Sequence, residues 1–390
     1  MNIFLLNIRP IIGISVLILI FALLYYVWRI FRAHQLSPLI DRSKPLKPIK
    51  FEEGMIKTAR VFERGEEDYN CFRIPALISL PNNVFCAFAE GRRDSCSDLG
   101  NIDLVVKRSE DGGSTWGDFQ TIWDLGYSEV QNPCPFYVEE TQTLLVLVVG
   151  ARKCPYIFRS KDLGKTWDGP EKIDIDYDQS WTFMGPSPGH GLILDSGRLL
   201  VSGMNNINEG ARAKTLWGSF YMYSDDHGET WELGHVFPFE TNECLSAQLE
   251  SGAVCTILRP NYGGFFKKKY MRIAISSDGG ETVDEVKIQR DLITPICQGS
   301  IISHENSLIY SGPNSARYRQ DMTLKTSDDG GKTFEKEKLI YKGKSVYSDL
   351  AINENDQICC LFECGIDTLH EAIEFVVLSE NVFEIIENTN

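Results

Sequence analysis

The chain is 390 residues long, with 43% hydrophobic and 11% aromatic residues and a formal net charge of −15. That length holds one large domain or two ordinary ones, and the apolar content is ample for a buried core. The acidic balance excludes nucleic acid as a partner, because neutralising phosphates needs a basic surface; an anionic ligand is held only where arginines are concentrated locally.

Residues 11–28 (IIGISVLILIFALLYYVW) carry no charge and are flanked by Arg9, Arg29 and Arg32. As a helix rising roughly 1.5 Å per residue the segment reaches about 27 Å, close to the roughly 30 Å of a hydrocarbon core. A cleaved signal peptide is the competing reading, but the stretch exceeds a usual apolar signal region and no A-x-A site follows. The sequence predicts a membrane anchor within residues 1–35, a Pro/Lys linker over residues 36–55 and one folded domain over residues 56–390. Basic residues are more numerous after the anchor than before it, which places the domain in the cytosol. The substrate chemistry argued below favours a lumenal or extracellular domain, so orientation stays open. Of eleven cysteines, Cys359, Cys360 and Cys364 lie in or beside an apolar run and are expected as buried thiols.

Beyond the anchor, helical periodicity is scarce and short β-rich runs recur between turn signals, as at residues 144–149 (LLVLVV). One pattern, S-x-D-x-G-x-T-aromatic, occurs five times: SEDGGSTW from Ser109, SKDLGKTW from Ser160, SDDHGETW from Ser224, SSDGGETV from Ser276 and SDDGGKTF from Ser327. The fourth copy is worn, with Val283 in the aromatic place. Asp and Gly accept turn conformations, the hydroxyls bond local backbone, and the aromatic plugs the turn into the blade. These Asp-boxes are structural. Their spacing of about fifty residues suits a four-stranded propeller blade. The expected fold is an all-β, six-bladed β-propeller, with one blade lacking a box.

The residues that carry chemistry lie outside the boxes. FRIP at residues 72–75 embeds Arg73 in an apolar strand, and a buried arginine persists only when paired or held for a ligand. AFAEGRRDSCSDLG follows, with Arg92 and Asp98; Arg93 and Asp94 are adjacent competitors. FRIP, AFAE-x-R and repeated Asp-boxes together resemble the sialidase (neuraminidase) superfamily, in its bacterial and animal lysosomal-like form, over the whole domain. The resemblance implies an exo-α-sialidase, a glycoside hydrolase that removes terminal sialic acid from glycoproteins, glycolipids or oligosaccharides.

The resemblance also implies roles. Arg73, Arg259 and Arg319 are the three arginines that clamp the substrate carboxylate. Arg259 lies sixteen residues after Glu243 of an E-C pair, and Arg319 precedes the last box, with Arg317 as the competing assignment. Tyr347 in SVYSDLA is the nucleophile, Glu363 in CLFECG supports Arg73, Arg92 contacts the sugar, and Asp98 is the acid/base. Phe362, in place of the commoner Tyr, departs from the family pattern without touching the chemistry.

These residue types suit the substrate. Sialic acid bears a carboxylate on its anomeric carbon, and planar guanidiniums bind carboxylates bidentately. A carboxylate nucleophile would face that charge; a neutral phenol does not. A phenol with a pKa near 10 needs a base, and Glu243 is the candidate. Asp98 protonates the leaving oxygen and later activates water. Residues 132–135 (NPCP) and 185–192 (GPSPGHGL) read either as pocket-lining loops or as plain turns. The six histidines show no zinc spacing, and no nucleotide-binding motif is present, so neither metal nor cofactor is expected. The expected partners are a sialylated glycan and, through the N-terminal helix, a membrane; no obligatory protein partner is implied. A trans-sialidase, or an inactive Asp-box propeller that binds glycans or proteins, are the alternatives.

Overall fold

A computed structural model describes residues 46–151, 153–208, 215–261, 269–379 and 382–383. The anchor expected at residues 11–28 lies outside the described residues. Among the described residues no helix is long and apolar enough to cross a membrane.

The described chain is all-β. Its first strand, β1 (Met55–Glu63), stands apart from the run that follows it. A first sheet contains β2 (Cys71–Leu80), β3 (Val84–Arg92), β4 (Ile102–Ser109) and β5 (Gln120–Trp123). A second contains β6 (Val130–Val138), β7 (Thr143–Gly150), β8 (Cys154–Ser160) and β9 (Asp168–Lys172). The third holds β10 (Trp181–Pro186), β11 (Leu192–Ile193), β12 (Leu199–Asn208), β13 (Thr215–Ser224) and β14 (Glu232–Val236). The fourth holds β15 (Thr241–Gln248), β16 (Val254–Pro260), β17 (Tyr270–Ser276) and β18 (Glu285–Ile293). The strands β19 (Ser300–His304), β20 (Ser307–Pro313), β21 (Gln320–Ser327), β22 (Lys336–Ile352), β23 (Ile358–Gly365) and β24 (Ala372–Leu378) join β1 in a seven-stranded sheet.

Neighbouring strands are antiparallel throughout, and most are joined by short turns, which gives a propeller-like arrangement of sheets. The apolar runs lie where two sheets press together. All eight residues of β7 are buried, because both of its faces meet a neighbour. In the seven-stranded sheet, the first part of β22 pairs with β21 and the part from Lys344 onward pairs with β23. One strand therefore serves two ladders. The sheet ends with β1 against β24, so the N-terminal strand completes the C-terminal sheet. Ahead of β1, Phe51 packs edge-on to Phe362 and within reach of Tyr341, inside the stretch expected as linker.

All five Asp-boxes occupy the same place: the turn from the third to the fourth strand of a sheet, including the join from β21 to β22. In the first, Asp111 Oδ1 accepts from the backbone N–H of Ser114 and Thr115, both at 2.9 Å, and Asp111 Oδ2 accepts from the Thr115 hydroxyl at 2.7 Å. Ser109 Oγ accepts from the Gly113 N–H at 2.8 Å. The worn copy closes a similar loop, in which the Gly280 N–H meets Ser276 Oγ and the Thr282 N–H and hydroxyl meet the Asp278 carboxylate. The aromatic packs beyond its own sheet as well. Trp116 meets Phe375 of β24, Trp167 meets Phe88 of β3, and Trp231 meets Phe136 of β6, so each tryptophan staples its turn to the preceding sheet. Where β1 pairs with β24 there is no connecting turn, and accordingly no box.

Although burial opposes the charge, these local hydrogen bonds hold Asp111, Asp162 and Asp226 at about 2, below the ordinary 3.8. A carboxylate depressed in the folded state stabilises fully above its unfolded value and loses that contribution as pH falls through the folded value. The urea midpoint is therefore expected to fall as pH drops from about 4 toward 2. Asp162→Asn should lose roughly 1–2 kcal/mol at pH 6 and show a shallower acid slope than the parent; an unchanged slope would refute this assignment.

Candidate active site

Five inner strands break register within their first few residues. The breaks fall between Arg73 and Ala76 in β2, Gln131 and Cys134 in β6, Trp181 and Phe183 in β10, Thr241 and Cys244 in β15, and Ser345 and Ser348 on the later part of β22. A bulge re-aims side chains and frees a backbone N–H from the ladder. Ile74, at φ 59, and Asn132, at φ 58, sit in the left-handed region, and each precedes a proline. That conformation is costly for a β-branched residue and persists only where surroundings fix it.

The fixing groups are polar side chains from neighbouring elements. Glu363 of β23 accepts from the Ile74 N–H at 2.8 Å, and Glu90 of β3 accepts from the Asn132 N–H at 3.0 Å. Each glutamate also holds an arginine. Glu363 Oε2 takes Arg73 Nε at 3.3 Å, and Glu90 Oε2 takes Arg92 through Nε at 3.0 Å and Nη2 at 2.5 Å. Although burial opposes its charge, Arg73 and His370 hold the Glu363 carboxyl at about 2. Burial lifts Glu90 and Arg92 draws it back. At the end of the β22 bulge the Ser348 N–H goes to Gln298 Oε1 at 3.1 Å, and at the β15 bulge the Cys244 N–H goes to Ser187 Oγ at 3.0 Å.

The β22 bulge presents Tyr347, buried to 6% exposure. Its hydroxyl donates to Glu243 Oε1 at 2.5 Å and accepts from Arg259 Nη1 at 2.8 Å. The same Arg259 nitrogen pairs with Glu243 Oε2. The guanidinium carbons of Arg73, Arg319 and Arg259 lie 5.3, 5.7 and 6.0 Å from the centre of the Tyr347 ring. Burial pushes the phenol up, while Arg259 and Arg319 pull it down. The net shift is upward, so Tyr347 is a protonated phenol with a carboxylate in contact.

Asp98, on the loop after β3, contrasts with this buried set: its side chain is 67% exposed. Its Oδ1 accepts from Arg73 Nη1 at 3.1 Å and from Arg92 Nη1 at 2.8 Å. A disulfide between Cys71 and Cys96 ties that loop to the start of β2. The other nine cysteines are free, and all but Cys154 are buried, Cys359, Cys360 and Cys364 among them.

The structure thus brings Arg73, Arg92, Asp98, Glu243, Arg259, Arg319, Tyr347 and Glu363 into one cluster. Their competitors fall elsewhere. Arg317 is exposed beside the Tyr318 ring, Arg93 pairs with Asp103 at 2.7 Å, and Asp94 accepts from the Asn101 N–H within its own loop. Residues 132–135, expected as a loop or a turn, instead lie inside β6, because the Asn132 N–H is held by Glu90 at the bulge. Residues 185–192 run inward, where Ser187 supports the β15 bulge and His190 Nδ1 lies 2.7 Å from the buried Asp349. Sequence reasoning missed Glu90, Gln298 and His370. For Glu90 a signal existed, because Glu90 and Arg92 share one face of a strand.

Among the described residues, Arg259 Nε of this cluster and Oε1 of Gln131, whose Nε2 donates to the Asp98 carbonyl at 3.2 Å, are buried without a hydrogen-bond partner. No group of His, Cys, Asp and Glu suited to a metal ion occurs among the described residues.

Comparison with known proteins adds the lineage. Residues 83–360 match the BNR repeat-like domain family. A sialidase of Bacteroides fragilis is 27% identical over 375 residues, spanning 85% of this chain and 67% of that protein. Sialidase-3 of Mus musculus is 25% identical, spanning 83% of this chain and 94% of its own. The solved structure of the Hadza microbial sialidase Hz136 superposes with a TM-score of 0.72 at 25% identity, covering 84% of this chain and 69% of that one. A BNR-repeat match across most of the domain, curated relatives from bacteria and animals, and a shared fold place this chain in the sialidase superfamily.

Proposed function

We propose that this glycoside hydrolase is an exo-α-sialidase that releases terminal sialic acid with retention of configuration, using Tyr347 as nucleophile. The observation that carries the reading is the Tyr347 hydroxyl, set between Glu243 and Arg259 with three guanidiniums around its ring. Arg73, Arg259 and Arg319 receive the substrate carboxylate, displacing Asp98 from Arg73. Asp98, released from Arg73 and carrying a proton taken from solvent, then protonates the departing glycosidic oxygen as that oxygen's bond to the anomeric carbon breaks, while Glu243 takes the phenol proton and Tyr347 oxygen bonds to that carbon. In the second step Asp98 takes a proton from water, the water oxygen bonds to that carbon, and Tyr347 leaves with the proton held by Glu243. Arg92 meets the sugar ring, and Glu363 keeps Arg73 aimed.

The seven-stranded sheet supports a count of six blades, since β22 is the outer strand of one four-stranded blade and the inner strand of another that β1 completes. The apolar run at residues 11–28 supports an anchor that holds residues 56–390 at a membrane through the linker over residues 36–55. The Cys71–Cys96 disulfide supports an oxidising compartment, and with it a lumenal or extracellular domain. Removing residues 1–34 should give a protein that stays in the supernatant of a membrane preparation; pelleting with vesicles as before would overturn the anchor.

Lysine cannot reproduce the guanidinium fork. Arg259→Lys and Arg319→Lys should each raise KM for an aryl sialoside by about tenfold or more, whereas Arg317→Lys should change it by less than about twofold. The reverse order for Arg317 and Arg319 would misplace the third clamp. A sialic acid analogue with fluorine at C3 and a good leaving group should leave a covalent adduct on the peptide containing Tyr347, read by mass spectrometry after digestion, and Tyr347→Phe should abolish it. An adduct on Glu243 or Glu363, or an inverted first product by NMR, would sink the mechanism.

A further inference from the structure

The connection between β23 and β24, residues 366–371, reaches the site although none of its residues belongs to the proposed machinery. It is braced from several sides. The Glu371 carboxylate accepts from the backbone N–H groups of Ile366, Asp367 and Thr368 at 2.9, 2.9 and 2.6 Å. Lys344 Nζ donates to the carbonyls of Ile366 at 3.1 Å and Asp367 at 2.7 Å, and Lys47 pairs with the Asp367 carboxylate at 2.9 Å. A loop fixed in this way delivers side chains with little freedom.

It delivers two. Leu369 packs into the small apolar cluster of Ile74, Cys297, Val346 and Tyr347, behind the proposed nucleophile. His370 places Nδ1 2.7 Å from Glu363 Oε2, the same oxygen that takes Arg73 Nε at 3.3 Å. The other carboxylate oxygen is occupied by the Ile74 N–H. Glu363 is fully buried and ionised, and an ionised carboxylate only accepts hydrogen bonds. The proton therefore sits on His370 Nδ1. Burial and the nearby Arg73 guanidinium disfavour a second proton on the ring, so His370 acts as a neutral donor.

We propose that His370 is a positioning residue for the carboxylate clamp: its Nδ1–H pins Glu363, which holds the Nε edge of Arg73 and turns the terminal nitrogens toward the substrate carboxylate. This rests on the sialidase reading above. Without the imidazole, one side of the Glu363 carboxylate is unsupported, and Arg73 loses its fixed direction while keeping its charge. The effect falls on binding of the carboxylate, in ground and transition state alike, and so on KM rather than kcat.

The test uses the full chain and three variants. His370→Phe fills the ring volume without a donor. His370→Asn offers an N–H where Nδ1 stood, and His370→Asp is its isostere with an acceptor in that place. His370→Phe and His370→Asp should each raise KM for an aryl sialoside by about tenfold or more with kcat within about threefold, and His370→Asn should recover most of the loss. Calorimetry with the 2,3-unsaturated sialic acid analogue should weaken in the same order, while its uncharged C1 amide should bind all four proteins with one affinity. Should His370→Phe fail to fold, the Asn and Asp pair carries the comparison alone. Equal damage from Asn and Asp, a fall confined to kcat, or equal weakening of acid and amide would overturn the positioning role and leave the sialidase reading standing. A parent protein that neither turns over the sialoside nor binds the analogue would overturn both.

Discussion

The structure depends on neutralising a dense knot of arginines with carboxylates, all but one of them buried. Arg73, Arg92, Arg259 and Arg319 converge where the inner strands begin, and Glu363, Glu90, Glu243 and Asp98 meet three of them directly. Burying an ion costs several kcal/mol unless it is paired and its remaining hydrogen-bonding sites are filled. Here nearly every carboxylate oxygen has a partner, and two of those partners are backbone N–H groups freed by bulges. The charge cluster and the bulges therefore require one another. A chain with a net charge of −15 can in this way offer an anion a cationic floor, since the guanidiniums act at contact distance while their own charge is balanced from behind.

That arrangement explains why the scaffold is a ring of sheets. No single sheet presents Arg73, Glu243, Arg259, Arg319 and Tyr347 together, because they come from β2, β15, β16, the residue just before β21, and β22. Ring closure brings their strand ends to a common centre, and the Asp-box turns carry the load at the outside. Each boxed tryptophan locks a sheet to its predecessor. The outer turns thus set the relative placement of inner strands on which a hydrogen bond such as Tyr347 to Glu243, between residues 104 positions apart, depends.

Features with a local signature were legible in the sequence. The boxes form as the S-x-D-x-G-x-T pattern implies, and every residue proposed for the site by motif lies in the one cluster. Arg319 and Arg317 could not be separated by spacing, because both precede the same strand; burial separates them. Groups that act across the ring left no local trace. The Ile74 N–H meets Glu363 at a separation of 289 residues, and no pattern around either reveals that bond. His370 looks like a loop polar residue, and only the fold brings it to Glu363. The partners of the boxed tryptophans were illegible for the same reason, since a turn sequence encodes its own conformation and not the sheet it will touch.

A crystal structure of the complex with the 2,3-unsaturated sialic acid analogue tests the central claim most directly. The account predicts the C1 carboxylate within about 3 Å of nitrogens from Arg73, Arg259 and Arg319. It also predicts Asp98 released from Arg73 and the Tyr347 hydroxyl beneath the anomeric carbon. A carboxylate bound away from these three arginines, or one facing solvent with Asp98 still on Arg73, would contradict it.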